Sequence, residues 1–144
     1  MYIWDLNRKG FSQADIGRRM DATRQAAYDA LKVATEKVDA ALRHAAEANM
    51  IEVRKVDPTN GILLGFSPSN RNNVIVTFSM KHGIQTWHYE SPDCPGCRWT
   101  ERCRGRLIDE AEERGIKLGE AEKELQPARL AHVIFSRLIQ GLEP

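Results

Sequence analysis

Residues 11–31 read FSQADIGRRMDATRQAAYDAL, and the spacing predicts two helices joined by a tight turn. Ser12 opens the first helix, and Asp15, three residues on, completes something close to a capping box. That helix runs to about Met20. Asp21 and Ala22 make the turn, and Thr23 caps the next helix through its side-chain oxygen. Ile16 and Met20 stand one turn apart and face a core, and Ala27 and Leu31 bring the following helix back onto it. Gly17 is small where the two helices cross closely.

Outward from this stretch, residues 2–9 predict a short helix, with Ile3 and Leu6 on one side and Gly10 as its stop. On the other side, residues 24–49 contain no Gly and no Pro, which predicts one helix of about 26 residues and about 39 Å. Ala27, Leu31, Ala34, Val38, Ala41 and Ala45 fall on it at alternating spacings of four and three, a heptad-like seam of mainly small residues. Such a stripe serves either an amphipathic helix packed on its own domain or a helix that pairs with a second copy. Its narrowness favours a close helical partner, hence a homodimer.

Beyond residue 50 the period changes. Residues 51–56, 62–66, 74–79 and 84–89 read as strands. They are separated by turn-rich breaks at Asp57–Gly61, Ser67–Asn70 and Lys81–Gly83. An antiparallel meander follows, then a cysteine loop, a helix over 104–114 stopped by Gly115, and a last helix opened by Pro127. Leu130, Val133, Ile134, Leu138 and Ile139 give that last helix an apolar stripe. The class is α+β, with residues 1–50 as one domain and 51–144 as a second.

The composition, 42% hydrophobic and 28% charged, is that of an ordinary folded chain. No apolar run approaches the roughly 20 residues that span a bilayer, and the first residues show no secretory signal. No membrane partner and a cytoplasmic location are therefore expected. Net charge is only +1, but its distribution is uneven. Arg8, Lys9, Arg18, Arg19 and Arg24 crowd the N-terminal stretch, Arg98, Arg102, Arg104 and Arg106 form a second basic group, and residues 109–124 are mostly acidic. Local basic patches matter more for nucleic acid than the total does.

The run from Phe11 to Leu31 resembles the helix-turn-helix of transcriptional regulators and of the promoter-reading sigma-factor region. Within that class it looks most like archaeal regulators of the Tfx type, whose similar segment leads into a long helix. The resemblance covers about the first fifty residues. One departure is Asp21, where the turn usually has Gly; Asp tolerates the left-handed conformation less well. The resemblance implies double-stranded DNA as partner. Ser12 and Gln13 would set a helix N-terminus against a phosphate. Thr23, Arg24, Gln25 and Tyr28 would lie on the groove-facing side of the recognition helix. Arg18 and Arg19 would contact phosphates without reading sequence.

The three cysteines are bunched as Cys94-x2-Cys97-x5-Cys103. An odd, clustered set points to ligand or redox chemistry rather than a disulfide framework. Pro95 and Gly96 suit the tight turn that lets two thiolates meet one centre, and Cys103 is near enough to be a third ligand. His88, at the end of the last predicted strand, is the leading fourth, which would make a Cys3His zinc site. His82 and His132 are alternatives. The spacing also resembles iron–sulfur segments of DNA-related proteins, including some regulators and RecB-type nucleases, where three close cysteines hold a cubane (4Fe-4S) cluster. An iron–sulfur cluster ranks ahead of zinc, because only three cysteines are present and a regulator needs something to sense. The neighbouring arginines would offset thiolate charge and lower thiol pKa values. Trp87 and Trp99 would shield the centre from water.

These features predict a sequence-specific transcriptional regulator, not an enzyme, that senses redox state or metal. The alternatives are an iron–sulfur or zinc redox enzyme, a nuclease-associated protein, or an adaptor with a structural zinc. A nuclease would need a strand with a buried Asp followed by a Glu-x-Lys pair. A thioredoxin-like enzyme would need a βαβ context around the C-x-x-C. Neither pattern is present.

Overall fold

A computed structural model describes residues 1–90 and 94–139. Three helices come first, α1 (Tyr2–Arg8), α2 (Gln13–Arg19) and α3 (Arg24–Ala48). The strands β1 (Glu52–Asp57), β2 (Ile62–Ser67), β3 (Asn72–Ser79) and β4 (Gly83–Trp87) follow. Then come α4 (Thr100–Glu113), α5 (Glu120–Lys123) and α6 (Pro127–Ser136). The strands pair antiparallel in the order β1-β2-β3-β4. The class is α+β, and the meander has the order expected from the sequence.

The pleat of the sheet explains the layering. Successive strand side chains point to opposite faces. Leu63, Val74 and Val76 join a core with Ile3, Trp4, Leu6, Ile16, Ala34, Val38 and Leu42 of the N-terminal helices. Ile62, Ile75 and Trp87 join a second core with Leu107, Ala111, Leu130, Ile134 and Phe135 of the C-terminal helices. A sheet covered on both faces needs apolar residues at consecutive positions, which is why Ile62-Leu63-Leu64 and Val74-Ile75-Val76 read as unbroken apolar runs. The boundary expected at residue 50 falls between the first helical layer and the sheet, and the two share a core across it. With β4, β1 is one of the two edge strands. Glu52, Val53, Arg54 and Lys55 are exposed on it, its register shifts between Val53 and Lys55, and charge plus irregularity blunt an edge against further pairing.

The small-residue seam of α3 has a partner inside the chain. Ala27, Ala34 and Val38 are buried, together with Leu42 and Ala46, against the sheet and α1. Alanines on this face let the helix lie close over the strands. The other seam residues, Leu31, Ala41 and Ala45, are half-buried. Of the apolar stripe expected on the last helix, Leu130 and Ile134 are buried with Ala131 and Phe135 against α4 and the sheet, and Val133, Leu138 and Ile139 are half-buried. Gly115 (φ 71°) follows α4 as expected. That helix begins at Thr100, four residues before the expected start, so Cys103 lies on its first turn.

The two helical layers also grip each other around the sheet. Glu113 of α4 accepts from the backbone N–H groups of Met80 and Lys81 at 3.0 and 3.1 Å, and lies 3.6 Å from the Arg8 guanidinium of α1.

Candidate functional site

Two regions hold the residues singled out in the sequence. The first is the junction of α2 and α3. Ser12 Oγ accepts from the Asp15 N–H at 3.1 Å and caps α2. Ala22 N–H donates to Gly17 O at 2.8 Å and closes the turn. Asp21 takes the left-handed conformation, φ 52°, and Thr23 Oγ1 accepts from Ala26 N–H at 3.0 Å to cap α3. A Cβ on Gly17 would stand 2.9 Å from Ala22 O, so only glycine lets the turn come this close. Ile16 is fully buried. Met20, expected to face the core, is 44% exposed; α2 ends at Arg19, and Met20 turns outward as its C-cap.

Residues 21–26 are all exposed, as is Tyr28, so the start of α3 presents Thr23, Arg24, Gln25 and Tyr28 to solvent. No carboxylate among the described residues pairs with Arg24, and the Gln25 side-chain amide donates to Asp29 Oδ1 at 3.1 Å. The Arg19 guanidinium stacks 4.2 Å over the Phe11 ring, exposed and without a carboxylate among the described residues.

The start of α2 carries its own polar network. The Ser12 hydroxyl donates to Asp15 Oδ2 at 2.8 Å, and Arg18 pairs with the other oxygen of the same carboxylate. The Ser12 hydrogen bond, followed by Arg18, holds that carboxyl below the usual carboxylate range. A side-chain anion thus already sits at this helix N-terminus, where a phosphate would meet like charge. Gln13 beside it is only half-exposed. Ser12 and Arg18 are thus tied to Asp15, while Arg19 and Arg24 have no carboxylate partner among the described residues.

The second region lies on the opposite face of the sheet. Cys97 N–H donates to Cys94 O at 3.1 Å, the turn expected of C-x-x-C with Pro95-Gly96 inside it. Thr100 at the start of α4 donates from Oγ1 to the carbonyls of Cys94 and Cys97, and Trp99 N–H points to Cys97 Sγ at 3.4 Å. Cys94 is buried, Cys97 exposed and Cys103 half-buried, and all three are free thiols. They line one cavity of about 460 Å³ with His88, Trp87, Tyr89, Trp99, Arg102 and Arg106. Its floor comes from Pro127, Ala128 and Ala131 of α6.

The electrostatics differ from expectation at one thiol. Burial, then the neighbouring Cys97 and Cys94, push the Cys103 thiol up, and the opposing pull of Arg106 and Arg102 is smaller. Arg104 points elsewhere, to Leu125 O at 3.0 Å and to Glu101. Arg102 stacks on Trp99 at 5.4 Å, as does Arg98 at 4.7 Å. Arg106 donates to the neutral Gln85 Oε1 at 2.8 Å. Neither Arg102 nor Arg106 has a carboxylate partner among the described residues. His88 is exposed at the cavity wall. His82 is bound to Asp109 Oδ2 at 2.7 Å, and His132 packs edge-on to Tyr89 at 4.7 Å between ring centroids.

A single zinc ion needs donors about 2.0–2.3 Å from one point. Among the described residues, no three His, Cys, Asp or Glu side chains are gathered closely enough to hold one ion. The three cysteines line one cavity with Arg102 and Arg106, which have no carboxylate partner among the described residues.

Three further residues carry no motif and were not singled out. Thr77, Glu110 and Arg114 form a buried polar cluster beneath the sheet. The only sequence signal was the Glu-to-Arg spacing of four on α4, common on any helix.

Comparison with protein-family models, with curated proteins and with solved structures found no match to this chain.

Proposed function

We propose that the chain is a DNA-binding transcriptional regulator. In this reading α2, the turn over residues 20–23 and α3 act as a helix-turn-helix. The observation that carries it is the exposed start of α3, residues 21–26 with Tyr28, on a helix whose other face is locked into the core. Arg24 and Gln25 are the base-reading residues, since both side chains make bidentate contacts to base edges. Thr23 and Tyr28 flank them, and Arg19 contacts a phosphate.

Cys94, Cys97 and Cys103 hold a metal-containing centre, with His88 the leading fourth ligand. An iron–sulfur cluster is favoured over zinc because only three cysteines are present and a regulator needs something to sense; Arg102 and Arg106, without a carboxylate partner among the described residues, line the same cavity and would balance thiolate charge. Such a cluster supplies reversible one-electron chemistry when bound. Three free thiols and a DNA partner suit a reducing compartment, hence the cytoplasm. A homodimer would have to use surface other than Ala27, Ala34 and Val38 of the α3 seam, which lie buried in the chain's own core.

Anaerobic purification with iron, sulfide and zinc analysis tests the centre. A brown protein with a broad visible band and equivalent iron and sulfide is the expected result. A colourless protein with one zinc would replace the cluster by a structural ion, and one with no metal would remove the centre from the proposal.

A further inference from the structure

Trp87 belongs to two places at once. Its ring lines the cysteine cavity, yet the residue is only 7% exposed. Its indole Nε1–H donates inward to Thr77 Oγ1 at 3.0 Å. The Thr77 hydroxyl donates to Glu110 Oε1 at 2.9 Å. Arg114 Nε–H donates to the other oxygen, Oε2, at 3.0 Å. Thr77 and Glu110 are fully buried, and the Arg114 side chain is 2% exposed. The Arg114 guanidinium then donates to the carbonyls of Asn60, Gly61 and Phe78, at the turn between β1 and β2 and the end of β3.

The other helical layer grips the same turn. Trp4 of α1 is fully buried, and its Nε1–H donates to Pro58 O at 2.8 Å. Its ring meets Phe78 edge-on at 5.0 Å. A Cβ on Gly61 would stand 3.0 Å from that ring, so backbone and indole are in close contact. α1 in turn packs on α2 and α3.

We infer that this buried chain, from Trp87 through Thr77, Glu110 and Arg114 to the 58–61 turn and Trp4, couples the occupancy of the cysteine cavity to the packing of the N-terminal helices. The inference rests on the proposed metal-containing centre and adds the route by which it is felt. A hydroxyl has one proton. Thr77 gives it to Glu110 and can therefore take part with Trp87 only as acceptor, so each bond in the chain constrains the next. A filled cavity fixes the Trp87 ring, and the fixed ring holds Thr77, Glu110 and Arg114 in one arrangement on the turn. A buried ion pair is often no more stabilising than apolar side chains of the same volume, and its best-attested use is to specify one arrangement over another.

Amide hydrogen exchange on the full chain, apo and after anaerobic reconstitution with ferrous iron and sulfide or with Zn2+ alone, tests this. Loading should slow exchange in residues 94–106. It should also slow exchange by about threefold or more in residues 57–61 and in α1, far from the thiols. Thr77→Val should keep the first effect and lose the second, with metal content unchanged. Thr77→Ser, which keeps the hydroxyl, should restore the second, and Trp87→Phe should lose it through a different residue if Thr77→Val folds poorly. Protection confined to residues 94–106 in the wild type, or distant protection that survives in both Thr77→Val and Trp87→Phe, overturns the coupling and leaves the centre standing. A chain that takes up neither metal overturns both.

Discussion

At the scale of single residues, Gly17 shows how a short stretch of sequence fixes a junction. The turn carbonyl of Ala22 occupies the space a methyl group would need. Gly17→Ala should therefore destabilise the fold by about 1–3 kcal/mol, the usual cost of forcing atoms into a packed site, read from the denaturant midpoint. At the cysteines, each Cys→Ser change at Cys94, Cys97 or Cys103 should reduce bound metal to near zero, because losing a thiolate removes binding and folding free energy together. His88→Ala should do the same if the imidazole is a ligand, and should leave metal content intact if the fourth position is exogenous. Metal analysis across the four variants decides it, and full retention in a Cys variant removes that residue from the site. These residues were legible in the sequence because both signals are local, a cap-turn-cap spacing and a cysteine spacing. What was not legible was the direction of the environment at Cys103. Burial depends on the whole fold, and it outweighs the arginines that stand next to the cysteines in the chain.

At the scale of elements, helix starts were readable where a side chain caps them, as at Ser12 and Thr23. The start of α4 was not, because Trp99 at its N-cap makes no side-chain cap and Thr100 turns its hydroxyl to the cysteine carbonyls instead. The sheet order followed from short turns between consecutive strands. The partner of α3 did not follow, since a stripe of alanines suits a second helix and a sheet equally, and only the packing distinguishes them. Thr23→Ala should cost about 1 kcal/mol of stability, the usual value of a helix N-cap, with fraying at residues 24–26 visible by hydrogen exchange. α4 also carries a pH-dependent contact. The hydrogen bond from His82, with a further contribution from Lys81, holds the Asp109 carboxyl below its ordinary value of 3.8 despite burial. A carboxyl lowered in the folded state contributes stability that is complete above its unfolded pKa and is lost as pH falls through the folded one. The clasp between α4 and the β3–β4 turn should therefore weaken below about pH 4. Asp109→Asn should flatten that acid limb in unfolding curves taken from pH 6 to pH 2; an unchanged limb would assign the acid sensitivity to other groups.

At the scale of the whole molecule, one sheet separates two faces with different chemistry. The N-terminal helices carry exposed Arg19, Arg24 and Gln25 on one side, and the C-terminal helices frame the three thiols on the other. The sequence showed both sets of residues but not that a shared sheet stands between them, because that follows from which strand residues point to which face over the whole chain. Glu110, fully buried, and the Arg114 side chain, 2% exposed, run through this arrangement. Glu110→Gln leaves Arg114 without its counter-charge and should destabilise the chain by about 3–5 kcal/mol, measured by equilibrium unfolding. The most direct test of the central claim is duplex DNA binding as a function of salt, by fluorescence anisotropy on folded protein with its cysteine centre loaded and empty. The account predicts that affinity falls linearly in log–log form with salt. Arg19→Ala should flatten that slope by about 1 on every sequence. Arg24→Ala and Gln25→Ala should each cost about 1–3 kcal/mol on a selected site and relax base choice there. Absence of salt-dependent binding in both the loaded and the empty protein would contradict it.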